Sequence, residues 1–191
     1  KHAAKNSYTP LDKKSTFNVY MIASLKAYKG INELVAIAQK CASNKALQFV
    51  LILNAKQYNI NTYFNSIELP ENLRILATQQ DLHQHYKNAG LVLNLSRVDQ
   101  CIETFGLTII EAMAYGIPVI VPPVGGPAEI VTNGIEGYLI SSYKTSSIAE
   151  KIKTLSLDKA EWSRLSKNAL MRSKDFNEQV FNKKLIQVLN A

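Results

Sequence analysis

The sequence predicts an α/β protein with a doubly wound, mostly parallel sheet of about six strands, followed by helices. Between Phe17 and Ile140, short apolar runs rich in β-branched residues alternate with segments whose apolar residues recur at helical spacing. Such alternation is typical of right-handed crossovers between parallel strands. From Ser146 onward only the helical pattern continues. We therefore expect one sheet-based core with a helical appendage.

The first part of the chain predicts two strands around one helix. Phe17–Ala23 is a short apolar run with aromatic residues, and Leu47–Leu53 is a continuous apolar run typical of a strand buried on both faces. Between them, apolar residues follow Gly30 at helical spacing: Ile31, Leu34, Val35, Ile37 and Ala38. Residues 54–69 show no decided pattern.

From Pro70 the alternation resumes with shorter elements. The predicted strands are Leu73–Ala77, Ala89–Leu95, Val119–Val121 and Gly137–Ile140. The predicted helices are a short one from Asp81 to near Asn88, a longer one over Leu107–Tyr115, and a helical turn from Gly125 through Val131. Turns are predicted at Gly116–Pro118 and Asn133–Gly134.

Three amphipathic helices are predicted after the sheet. Their apolar stripes are Ile148, Ile152 and Leu155; then Trp162, Leu165 and Leu170, with Trp162 as a packing anchor; then Phe176, Val180, Phe181, Leu185, Ile186 and Leu189. The polar residues 1–16 are typical of a linker or disordered lead-in. The predicted organisation is a lead-in over 1–16, a domain over 17–175 and a C-terminal helix over 176–191.

Composition and charge narrow the class of protein. The 191 residues are 47% hydrophobic and 19% charged, which is typical of a globular protein. No apolar run approaches the roughly 20 residues of a membrane-spanning helix, and no signal peptide is visible. The chain starts at Lys1, so we expect an upstream portion to be absent from it. Cys41 and Cys101 lack metal or redox spacing, which favours free thiols in a reducing compartment such as the cytoplasm.

The formal net charge of +7 is compatible with several anionic partners. The lysines are scattered and no Arg-rich arm is present, which indicates a solvated surface with a mild attraction to anionic membrane or phosphate. Peripheral membrane association therefore stays open, and nucleic-acid binding is not expected.

The segment from Glu103 to Glu111, Glu-Thr-Phe-Gly-Leu-Thr-Ile-Ile-Glu, lies where a predicted strand is followed by a helix. Open α/β sheets bind ligands at such positions. Free N–H groups of Phe105, Gly106 and Leu107 at the helix start suit a phosphate, and Gly106 leaves room for the ligand. The two carboxylates would then face neutral sugar hydroxyls. The alternative is that both acids are merely favourable charges near a helix start.

These residues and their surroundings resemble a known family. Glu103 to Glu111, continuing through Ala-Met-Ala-Tyr-Gly-Ile-Pro118, is similar to the signature of retaining GT-B glycosyltransferases, in particular family 4. The segments Val124–Val131 and Asn133–Tyr138 resemble the next loops of that family. Upstream, Ala23-Ser-Leu-Lys-Ala-Tyr-Lys-Gly30 resembles its first strand–loop–helix. The resemblance covers roughly Val19 to Ser141 and implies a Rossmann-like half of a GT-B fold.

The resemblance implies a role for each matching residue. Glu111 would hold the ribose hydroxyls of a nucleotide sugar, and Glu103 would face the transferred sugar. Lys29 would neutralise the diphosphate as it leaves. Backbone groups of Thr104, Phe105, Gly106 and Leu107 would hold the sugar and the diphosphate.

One position departs from the family pattern. Ser24 stands where the family usually has an arginine five residues before the lysine. A serine beside the diphosphate supplies no full charge, so Lys26 or the helix dipole would have to compensate, or donor binding would be weaker.

We expect neither a metal nor another cofactor. The chain has no Asp-x-Asp pair of the kind that holds a cation on a diphosphate. His83 and His85 lie two residues apart on a predicted helix and cannot form a metal pair by themselves. Tyr86 and the backbone near Ala77–Gln79 are candidates to approach the nucleobase.

The resemblance further implies that this chain is the donor-binding half of a hexosyltransferase in polysaccharide or glycolipid synthesis. A separate N-terminal domain would bind the acceptor, and the C-terminal helix would cross back to it. Two alternatives stay open: a non-catalytic nucleotide-sugar-binding or regulatory domain, with Ser24 as its sign, and a nucleotide-sugar epimerase on the same two-domain plan. The sequence leaves the sugar, the base and the acceptor unidentified.

Overall fold

A computed structural model describes residues 16–177 together with 179, 180, 182, 186 and 187. The lead-in predicted over 1–16 therefore lies outside the described residues except for residue 16, and more than half of the helix predicted over 176–191 lies outside them as well. The strands are β1 (Phe17–Ser24), β2 (Leu47–Asn54), β3 (Leu73–Leu76), β4 (Leu91–Leu93), β5 (Val119–Val121) and β6 (Gly137–Leu139). The helices are α1 (Ile31–Cys41), α2 (Gln57–Phe64), α3 (His83–Lys87), α4 (Leu107–Ala114), α5 (Gly126–Ile130), α6 (Thr145–Leu157) and α7 (Lys159–Ser173).

The strands form one six-stranded sheet in the order β3-β2-β1-β4-β5-β6. All five neighbouring pairs are parallel, and β1 pairs with β2 along its whole length, from Phe17 opposite Leu47 to Ser24 opposite Asn54. This confirms the predicted Rossmann-like, doubly wound sheet. The strand order reverses between β1 and β4, so a crevice opens at their carboxyl ends.

The side chains of β1 divide between two apolar layers, because successive residues of a strand point to opposite faces. Phe17, Val19 and Met21 pack in one layer together with buried residues of α1 and α6. Tyr20 packs in the other layer together with buried residues of α4, including Met113. Helices cover both faces of the sheet, which explains why its strands are continuous apolar runs.

Several element boundaries differ from the predicted ones. The undecided segment 54–69 contains α2, whose buried residues are Ile60 and Phe64. The predicted strand Ala89–Leu95 is shorter, because only Leu91–Leu93 pairs with neighbouring strands. Leu170 was expected in the buried stripe of α7 but is 42% exposed. Ala169 takes the buried position, since it lies seven residues from Trp162 on the same helix face.

Trp162 anchors α7 against the sheet, as predicted. Its indole Nε1 donates a hydrogen bond to the carbonyl of Gly90, just before β4, at 2.7 Å, and the side chain is buried.

Cys41 and Cys101 are both free thiols. In the part of the chain that the structure describes, no helix combines the length and the apolar character that crossing a membrane requires.

Gly30 allows α1 to begin against the loop that follows β4. Its φ is +83°, and a Cβ built there would lie 2.2 Å from the carbonyl oxygen of Leu95. Leu95 is itself buried, so its backbone has no room to shift. Gly134 has a similar φ of +78° but nothing within 4 Å of its would-be Cβ.

We predict that Gly30→Ala destabilises the fold far more than Gly134→Ala. In both variants an alanine must adopt the left-handed backbone conformation, which costs about 1–2 kcal/mol. Only Gly30→Ala also overlaps with buried backbone. We expect a further loss of about 2 kcal/mol or more in the free energy of unfolding. Urea titration followed by the fluorescence of Trp162 measures it, since the chain has one tryptophan. Equal losses in the two variants would show that the Gly30–Leu95 contact does not constrain the fold.

Candidate functional site

A pocket of about 480 Å³ lies at the carboxyl ends of β1 and β4, where the strand order reverses. Six of the residues predicted from the sequence line it: Ser24, Lys29, Glu103, Phe105, Gly106 and Leu107. The structure therefore brings most of the predicted site together in one place. Thr104 and Glu111 do not line this pocket.

Lys29 and Glu103 are bound to each other across this first pocket. The ammonium Nζ of Lys29 lies 2.5 Å from the carboxylate Oε2 of Glu103. Their side chains are only 20% and 25% exposed. The hydroxyl of Ser96 also donates to Glu103 Oε2, at 3.4 Å. The sequence did not indicate that these two residues, 74 positions apart, pair directly.

Lys29 reaches the pocket because of the backbone that precedes α1. It ends a short 3₁₀ helix, Ala27–Lys29, and Gly30 follows it in the left-handed conformation. The backbone N–H of Arg97 donates to the carbonyl of Tyr28 at 2.8 Å, which joins this turn to the loop after β4.

A largely buried ion pair strengthens the same junction. The guanidinium of Arg97 donates to Glu33 Oε1 through Nε at 2.9 Å and through a terminal nitrogen at 2.7 Å. The hydrogen bond to Glu33 raises the pKa of Arg97 above its ordinary value. Because Glu33 lies in the first turn of α1, this pair fixes the loop after β4 on that helix. No periodic pattern in the sequence indicates this contact.

The loop that carries Glu103 is held by the glycine pair at the start of α5. The N–H of Gly126 donates to the carbonyl of Glu103 at 2.8 Å. A Cβ at Gly125 would lie 2.6 Å from that same carbonyl oxygen, and a Cβ at Gly126 would lie 2.4 Å from the carbonyl oxygen of Thr104. The resemblance of Val124–Val131 to a family loop thus has a physical basis: the two glycines let two backbones pack closely.

Helix α4 begins at the edge of the first pocket. Gly106 precedes it with φ +118°, and the first N–H groups of any helix lack intrahelical acceptors. Gly106 lines the pocket and also has a role in packing. A Cβ there would lie 2.7 Å from Ile109 Cδ1, in the core, so the glycine serves the backbone conformation and the packing rather than ligand access alone.

Glu111 lies in a second pocket, of about 670 Å³. This pocket is lined by the following residues: Gln79, Gln80, Asp81, Leu82, His83, Tyr86, Glu111, Ala114 and Tyr115. The two carboxylates of the motif therefore do not share one pocket. They are connected through α4, since Leu107 and Thr108 line the first pocket and Glu111, one turn further on, lines the second.

Tyr86 holds Glu111 in place within the second pocket. Its hydroxyl donates to Glu111 Oε2 at 2.7 Å, and the residue is 4% exposed. Burial, followed by the hydrogen bond to the carboxylate, raises the pKa of Tyr86 well above its ordinary value. Tyr115 stacks on Tyr86 with ring centroids 5.2 Å apart, and its hydroxyl lies 2.5 Å from His83 Nδ1.

Some residues of the site were missed by the sequence reasoning. Asn94 and Ser96 line the first pocket, and Tyr115 lines the second. Asn94 and Ser96 could have been found, because polar residues at the carboxyl end of a buried parallel strand are a ligand-site signal.

Lys26, offered as a substitute for the missing arginine, is exposed and does not line the first pocket. Among the described residues, no three His, Cys, Asp or Glu side chains gather as a metal site would require.

The chain is similar to a known family of proteins. The family model described as glycosyl transferases group 1 matches residues 7–172. The sucrose synthase of Melioribacter roseus is 37% identical over 91 residues, which are 45% of this chain and 12% of that enzyme.

Two solved structures resemble the fold. HepE from Anabaena, solved in complex with UDP and glucose, has a TM-score of 0.79 at 23% identity over 93% of this chain and 49% of its own. The C-terminal domain of LpcC, a group 1 family protein from Francisella tularensis, has a TM-score of 0.68 at 21% identity over 85% of this chain and 87% of its own.

The extent of these matches differs. The chain spans about half of HepE and about a tenth of the sucrose synthase, so it is similar to a part of each. The family model, in contrast, covers most of the chain, residues 7–172. The chain therefore belongs to the group 1 glycosyl transferases and has the fold of a GT-B glycosyltransferase domain.

Proposed function

We propose that this chain is the donor-binding domain of a GT-B glycosyltransferase of family 4. The whole enzyme would move a hexose from a nucleoside diphosphate sugar to an acceptor hydroxyl with retention, in polysaccharide or glycolipid synthesis at the cytoplasmic side of a membrane. The observation that carries the proposal is the pocket between β1 and β4, which combines an ammonium, a carboxylate and the start of a helix.

The first pocket suits the diphosphate and the sugar. A helix start attracts anions through its free N–H groups and its dipole, and α4 begins at this pocket. Lys29 supplies a full positive charge beside it. When the bond between the anomeric carbon and the diphosphate breaks, the leaving oxygen gains negative charge, which these groups would stabilise. Glu103 would accept hydrogen bonds from sugar hydroxyls.

The second pocket suits the nucleoside. Glu111 is exposed there with one carboxylate oxygen held by Tyr86, so its other oxygen is available to the vicinal hydroxyls of a ribose. The aromatic ring of Tyr115 and the backbone near Gln79 lie in the same pocket and would contact the base. A nucleotide sugar extended along the start of α4 would reach both pockets.

The comparisons indicate which nucleotide sugars to test first. HepE was solved with UDP and glucose, and one of the similar curated proteins is a sucrose synthase. UDP-sugars are therefore the first donors to test. The C-terminal domain of LpcC, which this chain covers to 87%, supports the view that such a domain exists as a folded unit. We propose that acceptor binding belongs to a separate N-terminal domain and that transfer requires no metal.

The alternative of a non-catalytic nucleotide-sugar-binding domain is favoured by one observation. Ser24 lines the first pocket at the position where the family usually has an arginine. As a result, Lys29 is the single cation among the described residues that line this pocket. Activity of the full-length protein against a panel of donors separates the two functions, because a regulatory domain would bind donor without turnover.

We predict that the 191-residue chain binds a nucleotide sugar but transfers no sugar by itself. Isothermal titration calorimetry with UDP-, GDP- and ADP-sugars, each with and without EDTA, measures the affinity and its metal dependence. We expect binding of one base class, unchanged by EDTA. No heat with any donor would contradict the proposed function.

We predict that Glu111→Gln weakens nucleoside diphosphate binding by about 2 kcal/mol, or roughly 30-fold, because the ribose loses a charge-assisted hydrogen bond. The loss should vanish with the 2′,3′-dideoxy nucleotide, which binds wild type and variant equally. Tyr86→Phe, which keeps the ring and removes the hydroxyl, should give a smaller loss with the same ribose dependence.

Glu71→Gln is the matched control for this experiment. It removes the same charge from an exposed pair with Lys45, whose side chains are 90% and 78% exposed. Its affinity should equal that of wild type. Suppose that Glu111→Gln prefers the ribonucleotide over the dideoxynucleotide by the same factor as wild type. That result would contradict the assignment of Glu111 to the ribose.

A further inference from the structure

The pairing of Lys29 with Glu103 has a consequence for the donor. We propose that Glu103 and the diphosphate compete for Lys29, so that the site favours a nucleotide that carries its sugar over the bare nucleoside diphosphate. The proposal rests on the function proposed above and adds a means of discriminating substrate from product.

The charge balance of the first pocket motivates this inference. Among the described residues that line the first pocket, Lys29 is the one cation and Glu103 is the one anion. Their side-chain charges therefore cancel. Their nearest atoms are 2.5 Å apart, and both side chains are largely shielded from water. When a diphosphate enters beside this pair, the ammonium charge is already balanced by the carboxylate, and the carboxylate repels the diphosphate.

Binding of the diphosphate therefore requires the pair to separate. The backbones on either side are fixed: Gly30 packs on Leu95, and the carbonyl of Glu103 accepts from the N–H of Gly126 at 2.8 Å. The rearrangement is then confined to the two side chains. Lys29 turns to the phosphates, and Glu103 loses its strongest partner.

What happens to Glu103 decides the outcome for each ligand. After separation, the hydrogen bond that the Glu103 carboxylate keeps with the described residues comes from the hydroxyl of Ser96, at 3.4 Å. Hydroxyls of an attached sugar would replace the ammonium as hydrogen-bond donors to Glu103. The bare nucleoside diphosphate offers no such replacement and leaves the carboxylate near phosphate oxygens. The pair therefore weakens binding of the product more than binding of the donor, which would assist product release.

The test compares nucleoside diphosphate and nucleotide sugar of the base class that wild type binds, by calorimetry. Glu103→Gln keeps the side-chain shape and frees Lys29, so it should bind the nucleoside diphosphate about three- to tenfold more tightly than wild type. Its affinity for the nucleotide sugar should not rise, because the sugar loses a charged acceptor. The preference for the nucleotide sugar over the nucleoside diphosphate should therefore fall.

Further variants isolate the cause. In a Lys29→Gln background, Glu103→Gln should give no gain, because there is no ammonium left to release. Glu71→Gln separates a different Lys–Glu pair and changes the net charge equally, so it controls for general attraction of anions and should leave both affinities unchanged. If Glu103→Gln is unstable to urea, Glu103→Asp, which shortens the carboxylate, should give a smaller gain of the same kind.

The possible results are distinguishable. If wild type binds no nucleotide, both the proposed function and this inference are wrong. If wild type binds nucleotide but Glu103→Gln binds nucleoside diphosphate no more tightly, the competition is absent and only this inference is wrong. An equal gain in Glu71→Gln, or a gain that persists without Lys29, overturns it as well.

Discussion

The close approach of Gly30 to the backbone of Leu95 is the constraint on which the site depends. It brings the turn after β1 against the loop after β4, where the strand order reverses. Arg97 joins the same two segments through Glu33 on α1 and through the carbonyl of Tyr28. As a result Lys29, from the first βα unit, meets Glu103, which is 74 residues later in the chain. The sheet topology alone would leave these side chains on separate loops.

The electrostatics of the site follow from this packing. A lysine and a glutamate that are largely shielded from water satisfy each other, and neither is left as an uncompensated charge. Ser24 adds no charge, so the pocket is closer to neutral than an arginine at that position would make it. The second pocket is organised differently. There a buried tyrosine hydroxyl fixes one oxygen of Glu111, and the orientation of the carboxylate is set before any ligand arrives.

The sheet and most of the first pocket could be predicted from the sequence, whereas the contacts within the site could not. The apolar runs and the turn residues in the sequence predicted all six strands. They could do so because buried parallel strands are short apolar runs between turns that contain Gly, Pro and Asn. The motif from Glu103 to Glu111 located the start of α4, but spacing along the chain could not show that its acids open into separate pockets. Neither the Lys29–Glu103 pair nor the Tyr86–Glu111 hydrogen bond has a local signal, since each joins residues brought together by the tertiary fold. Leu170 was misplaced because two adjacent apolar residues, Ala169 and Leu170, compete for one buried position on a helix.

The glycine pair at the start of α5 also limits how this domain could be re-engineered. Gly125 and Gly126 offer no side chain to a ligand, yet any larger residue at either position would displace the loop behind Glu103. Libraries that vary the lining of the first pocket should therefore keep both glycines fixed. Diversity is better placed at Ser24, which lines the same pocket from the end of β1. Asn94 is less suitable, because its side chain accepts a hydrogen bond from the backbone N–H of Ser96 at 3.1 Å.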